Sequence, residues 1–432
     1  MKKNILLFLF LVAAYPLYAA NNDGSYLIRC NNKLIATVME DLFVPPVASR
    51  VHVYPNIAAY EVLAMGNPQL ISLSGQIKHL PKISSPHEKI NYSIAAEEAF
   101  CVVAKKLVFS EYMIADFEKV EMTNWKLKLK DSTLVSHSIA YGKTAGAEII
   151  GWMMKDNYTT VKTLQRYVIA DSLGAWKPTS PDYANALEPN WPLMRPLVMD
   201  SASQIKPKPN AAYSEDKNSV YYKLATEVYE QSKKLDSIQK TIAWFWDCNP
   251  SISYPKGHVT YYVHKISPGG HWLNITAQAC KRLHFDELKT AESYTLVAMG
   301  LYEGFLSCWT QKYIANSIRP ETYINRLIDA KWSPLIQTPP FPEYTSGHSC
   351  ISAASANILT ALIPQPYSFI DSSEMYIDLP PRSFHSLLDA AAEASVSRFY
   401  GGIHFMPALN NGAEQGKAVA NYILNHIHTR KK

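Results

Sequence analysis

No two of the six cysteines, at positions 30, 101, 248, 280, 308 and 350, stand close enough to make a Cys-x2-Cys pair. A metal–thiolate site is therefore not expected from spacing, and disulfides and buried free thiols stay open as readings of these residues. The chain also lacks a dominant charge. Its 42 Lys and Arg face 37 Asp and Glu, which implies neither nucleic acid nor an anionic membrane as partner. Acidic and basic tails, low-complexity tracts and internal repeats are absent too, so disorder and solenoid architectures are excluded.

What is present is a chain of 432 residues, 47% hydrophobic and 18% charged. That is enough for a large core, in two or three domains or one fold made of two halves. The first twenty residues carry the three parts of a secretory signal: Lys2 and Lys3, an apolar run from Ile5 to Ala14, and small residues at Ala19 and Ala20. The run is short of the ~20 apolar residues that span a bilayer. Export to the periplasm or the exterior, with cleavage after Ala19 or Ala20 and no stable membrane insertion of the mature chain, is the expectation.

Helical periodicity dominates the remainder. It predicts helices over Ile57–Met65, Tyr92–Val108, Val135–Met154, Val220–Leu235, Glu292–Ile314, Ile351–Leu362 and Leu387–Phe399, with no convincing strand pattern. Residues 158–213 differ: they are rich in proline, carry Trp176 and Trp191, and hold no period. Tryptophans in a long irregular segment argue for a wrapping loop buried against something. The expected organisation is an all-α helical bundle: a signal over 1–20, an N-terminal helical half over 21–157, the loop, and a C-terminal half over 214–432.

Three clusters in the C-terminal half carry chemistry. Lys312 and Arg319, followed by Pro320, lie about two helical turns apart, so both cations can share one face if the helix persists to the proline. Ser346 or Thr345 is a natural helix N-cap, and Gly347 leaves backbone N–H groups open to an anion, with His348 beside them as a proton-exchanging group. Arg398 and His404 would point about 240° apart on a continuous helix, but Gly401 and Gly402 can turn the chain so that both face one site. Cations, amides and imidazoles together are what a highly charged oxyanion requires. The further histidines His258, His264, His271 and His284, around an apparent Gly269–Gly270 turn, read as structural or surface residues.

Lys-x6-Arg-Pro, then Ser-Gly-His, then Ser-Arg-x5-His, in that order, resembles the three-part signature of the vanadium haloperoxidase and type-2 phosphatidic acid phosphatase superfamily. Phe-Pro-Glu-Tyr-Thr-Ser-Gly-His-Ser and Pro189-Asn190-Trp191 extend the likeness to bacterial haloperoxidase-like proteins. The resemblance implies the superfamily's helical bundle, an oxyanion held by Lys312, Arg319, Ser346, Gly347 and Arg398, and His404 bonded to the vanadium of vanadate. His348 would be the acid–base residue, with hydrogen peroxide and a halide, iodide or bromide, as substrates. Trp309 and Phe341 would line the halide and peroxide pocket. Phosphate could occupy the same place, so an exported phosphomonoesterase acting through a phosphohistidine, or an oxyanion binder without turnover, are the alternatives. A homodimer is one assembly implied by the architecture. Two positions depart from the phosphatase pattern: Thr345 replaces a proline, and Ala408 replaces the aspartate expected to orient the final histidine. A backbone carbonyl, Asn410 or Asn411 are the substitutes considered.

Overall fold

The computed structural model describes residues 23–250 and 252–431; the expected export signal lies outside them. The N-terminal helices are α1 (Ser25–Glu40), α2 (Pro45–Gly66), α3 (Tyr92–Leu107), α4 (Glu111–Leu129), α5 (Ser132–Met153) and α6 (Tyr158–Thr163). After a long irregular segment come α7 (Val220–Lys233), α8 (Ser237–Phe245), α9 (Pro268–Arg282) and α10 (Glu287–Ala315). The set closes with α11 (Pro320–Leu327), α12 (Gly347–Leu362), α13 (Leu387–Tyr400) and α14 (Met406–His426). Among the described residues no helix is long and apolar enough to cross a membrane.

Helix starts follow from local chemistry. Asn91, Asp236, Ser267, Asp286, Ser346 and Ser386 each accept a backbone N–H of the first turn, satisfying a donor that has no intrahelical partner. The 29-residue α10 is buried along nearly its whole length, through Tyr294, Val297, Leu301, Tyr302, Phe305 and Trp309. A helix apolar all round must have neighbours all round, and α2, α9, α12 and α14 supply them. Small residues set the closest approaches. A Cβ on Gly416 of α14 would stand 1.8 Å from the Cys350 carbonyl oxygen of α12, and one on Gly412 would stand 2.8 Å from that of Ser346. Helix α14 thus holds the first turn of α12 by backbone-to-backbone contact.

Among the described residues, four short strands make two hairpins that the sequence pattern did not reveal. β1 (Ser253–Lys256) pairs antiparallel with β2 (Val259–Tyr262), and β3 (Phe369–Asp371) with β4 (Arg382–Phe384). Three or four residues are too few to display an alternation of period two. Gly269 and Gly270, read from sequence as a turn, instead sit in the first turn of α9 behind Pro268. Proline is well placed there because its missing N–H would be unpaired anyway.

The irregular segment does wrap. Trp176 and Trp191 are buried, and the Glu303 carboxylate of α10 accepts the backbone N–H groups of Leu197 and Val198. Leu187 donates its N–H to the Pro340 carbonyl at 2.9 Å, while its own carbonyl accepts the Trp309 indole and the Tyr313 hydroxyl. This segment therefore closes one wall over the end of α10 that bears Lys312.

Candidate active site

Lys312 and Arg319 converge, but not on one helical face. Helix α10 ends at Ala315, Asn316 takes a left-handed conformation with φ 44°, and Arg319 is the extended residue preceding α11. Pro320 begins that next helix rather than enforcing an exit, again as the favoured first residue. The Lys312 ammonium donates to the Pro342 and Glu343 carbonyls at 2.9 and 3.0 Å. Arg319 donates through Nε to the Phe341 carbonyl and through Nη1 to that of Ile403, both at 2.9 Å. Both cations lie over the Phe341 ring, 5.0 and 4.9 Å from its centroid.

Ser346 is the N-cap of α12, its Oγ accepting the Ser349 N–H at 3.3 Å, and Gly347 opens the helix. A Cβ on Gly347 would meet the Trp309 ring at 3.3 Å. Its bareness leaves the helix N-terminus, with its unpaired amides and positive end of the dipole, accessible. His348, Arg398 and His404 line the same cavity as Gly347, together with Trp309 and Phe341. The expected turn after α13 is present: Gly402 adopts φ 79° and brings Arg398 and His404 to one side.

Glu343 holds His404. Its Oε1 accepts from His404 Nδ1 at 2.9 Å and from the Phe405 N–H at 3.0 Å. On the other ring nitrogen, Arg319 Nη1 approaches Nε2 at 3.1 Å. A guanidinium can only donate, so Nε2 is the lone-pair nitrogen and Nδ1 carries the proton. Sequence reasoning missed this carboxylate and looked C-terminal to His404, where the aspartate of the phosphatase pattern stands. Ala408 instead gives its carbonyl to the Ser346 N–H at 3.1 Å, Asn411 bonds the Tyr344 hydroxyl at 2.9 Å, and Asn410 is exposed. The one available signal was an acidic residue three positions before Ser346, inside the anion-cradle motif.

The electrostatics are those of a site prepared for negative charge. Burial pulls Lys312 down to about 7 and Arg319 to about 9, each pushed further by the neighbouring guanidinium. Arg398 is lowered by burial as well. Burial, then the surrounding cations, hold His404 and His348 well below the ordinary imidazole value. Burial raises Glu343 to about 7 against the pull of Arg319. Arg319 Nη2, Arg398 Nε and His348 Nε2 are buried with no protein partner. Three unpaired donors or proton carriers around one cavity fit a tetrahedral oxyanion with several acceptor oxygens.

The family described as VCPO second helical-bundle domain matches residues 328–431. A bacterial vanadium-dependent iodoperoxidase structure is 40% identical, aligns over 96% of this chain and 98% of its own, and superposes with a TM-score of 0.90. A bacterial vanadium-dependent chloroperoxidase, in apo and holo forms, shares the fold at 14% identity, with TM-scores of 0.66 and 0.65 over 89% of this chain. No curated protein sequence matches the chain.

Proposed function

The chain belongs to the vanadium-dependent haloperoxidases, and from that premise we propose that it oxidises iodide, and bromide less readily, with hydrogen peroxide at a vanadate held by His404. The observation that carries the proposal is the setting of His404: Nδ1 lies 2.9 Å from Glu343 Oε1 and Nε2 lies 3.1 Å from Arg319 Nη1, a donor only, which assigns the lone pair to Nε2 on the side of Lys312, Arg319 and Arg398. When bound, vanadate supplies a Lewis-acidic centre that makes peroxide electrophilic towards halide without changing oxidation state.

The chain's own groups would do the rest. Lys312, Arg319 and Arg398 neutralise the oxyanion, and Ser346 with the Gly347 amide completes the polar shell. His348 is neutral and has a free Nε2, so it can take the peroxide proton and later return it to a leaving oxygen. Phosphate would meet the same donors, so anion binding alone does not separate the two chemistries. Iodide is supported by the wall. Phe305, Trp309, Phe341, Pro339 and Leu187 face the cavity, and an apolar wall costs a weakly hydrated halide less than a strongly hydrated one. The relative at 40% identity is an iodoperoxidase. Export directed by the first twenty residues, which are then cleaved off, is part of the same proposal.

The test is peroxide-dependent oxidation of iodide, bromide and chloride by the vanadate-loaded protein, beside hydrolysis of an aryl phosphate. The expected result is vanadate-dependent turnover falling in the order iodide, bromide, chloride, and lost in His404→Ala. Hydrolysis without halide oxidation would make the site a phosphatase, and anion binding without either would make it a passive binder.

A further inference from the structure

Behind the wall of the oxyanion cavity lies a second buried cluster that halide oxidation does not use. Cys248 follows α8, His271 sits in the first turns of α9, and Glu374 lies in the turn after β3. All three are buried. Their ligand atoms form a compact triangle: Cys248 Sγ to His271 Nδ1 is 3.3 Å, His271 Nδ1 to Glu374 Oε1 is 3.0 Å, and Cys248 Sγ to Glu374 Oε1 is 3.6 Å. A tetrahedral zinc with bonds of about 2.3 Å to sulfur and about 2.0–2.1 Å to nitrogen and oxygen needs ligand–ligand edges of roughly 3.4–3.6 Å. The triangle meets that requirement within a few tenths of an ångström.

We propose that Cys248, His271 and Glu374 bind a zinc ion, with the fourth position open to a small ligand. The surroundings are those of an oriented ligand set. His271 Nε2 bonds Asp371 Oδ2 at 2.7 Å, and Asp371 Oδ1 is fixed in turn by the Ser373 N–H and by Gln278. A carboxylate on the far nitrogen turns Nδ1 into the metal-facing one, the outer partnership typical of metal-binding histidines. Glu374 is held by the Tyr376 hydroxyl, itself fixed by the Ile266 N–H at 2.7 Å. One thiolate, one imidazole and one carboxylate form a borderline-soft set suited to zinc, and three protein donors are the number found where a position stays open.

Residue spacing does not point to this set, because its three ligands lie in separate elements. Its place in the fold ties it to the first site. Trp246 stacks on the His271 ring at 4.5 Å, and its backbone carbonyl accepts Arg398 Nη1 at 2.8 Å; the Trp246 backbone also hydrogen-bonds His348. Cys248 itself lines the oxyanion cavity. A metal here would clamp the Trp246–Cys248 segment that positions Arg398 and His348.

Zinc binding at this cluster is independent of halide oxidation and is read without turnover. Protein purified without a chelating tag and saturated with vanadate is equilibrated with zinc, dialysed, and measured by elemental analysis. Zinc-edge X-ray absorption then reads the ligands. The expected result is one zinc per chain with one sulfur neighbour. Affinity should fall more than about 100-fold in Cys248→Ser and in Glu374→Gln, and about 10–100-fold in Asp371→Asn, while His404→Ala keeps its zinc. A folded wild-type protein that retains no zinc, affinity unchanged in Glu374→Gln, or zinc lost with His404 would each overturn the proposal.

Discussion

Replacing Glu343 by glutamine removes almost no volume from a fully buried position, and it removes a charge only above the value of about 7 to which burial raises this carboxyl. The amide oxygen can still accept from His404 Nδ1 and from the Phe405 N–H, as Oε1 now does at 2.9 and 3.0 Å. What is lost is the carboxylate that makes the imidazole a better electron donor through Nε2. Partners of this kind change metal affinity or activity by about 10–100-fold, which at 1.4 kcal/mol per decade is about 1.4–2.8 kcal/mol. Glu343→Gln is therefore expected to lower vanadate affinity and iodide oxidation by that factor. Sulfate, which forms no bond to nitrogen, should bind within a few-fold of wild type, because Lys312, Arg319 and Arg398 are untouched. Vanadate titration, sulfate titration and thermal unfolding of one preparation read all three quantities. Equal losses of sulfate and vanadate binding with a large fall in melting temperature would make Glu343 a structural prop. No loss of vanadate affinity would refute the orienting role altogether.

Other outcomes follow from the same geometry. Lys312, depressed by burial from 10.5 to about 7, regains its proton when an anion arrives. Tungstate binding at pH 8 should take up a proton and weaken up to about tenfold per pH unit above 7, and calorimetry in two buffers should lose this uptake in Lys312→Met. Because the folded value lies below the free one, the anion-free protein should also lose stability as pH falls from 10.5 through 7, a slope that denaturant titration with and without Lys312 reveals. His348→Ala should cut turnover by about 10²–10⁴-fold and leave vanadate affinity within a few-fold, since acid–base groups matter mainly to the reaction step; equal losses in both would speak against that role. Gly416→Ala must displace the Cys350 carbonyl, a backbone clash expected to cost about 3 kcal/mol or more, and an unchanged denaturation midpoint would contradict the close α12–α14 approach.

The residues proposed to hold an oxyanion were legible because their chemistry resides in residue type and short spacing. Ser346-Gly347-His348 is local, and the glycine turn between Arg398 and His404 has a backbone cause visible in sequence. Lys312 and Arg319 do converge, but by a different geometry from the expected one. A shared helical face was expected, whereas a left-handed Asn316 breaks the helix and backbone carbonyls of the 341–343 segment bring the two cations together. Glu343 was passed over because its partner lies 61 residues away and the resemblance pointed C-terminal to His404. His271 was read as structural or surface; it is buried, and its neighbours Cys248, Asp371 and Glu374 are brought to it by tertiary packing alone. Helix α14 escaped detection for a related reason: its packing surface includes Gly412 and Gly416, whose value lies in having no side chain, a property that hydrophobic periodicity does not register.

The proposed bond runs from vanadate to the Nε2 nitrogen of His404. Vanadium-edge X-ray absorption of the vanadate-loaded protein addresses it directly. The expected result is one nitrogen neighbour on vanadium that disappears in His404→Ala and persists in His348→Ala. A vanadium environment of oxygen alone in the wild-type protein, or a nitrogen neighbour that survives the loss of His404, would contradict it.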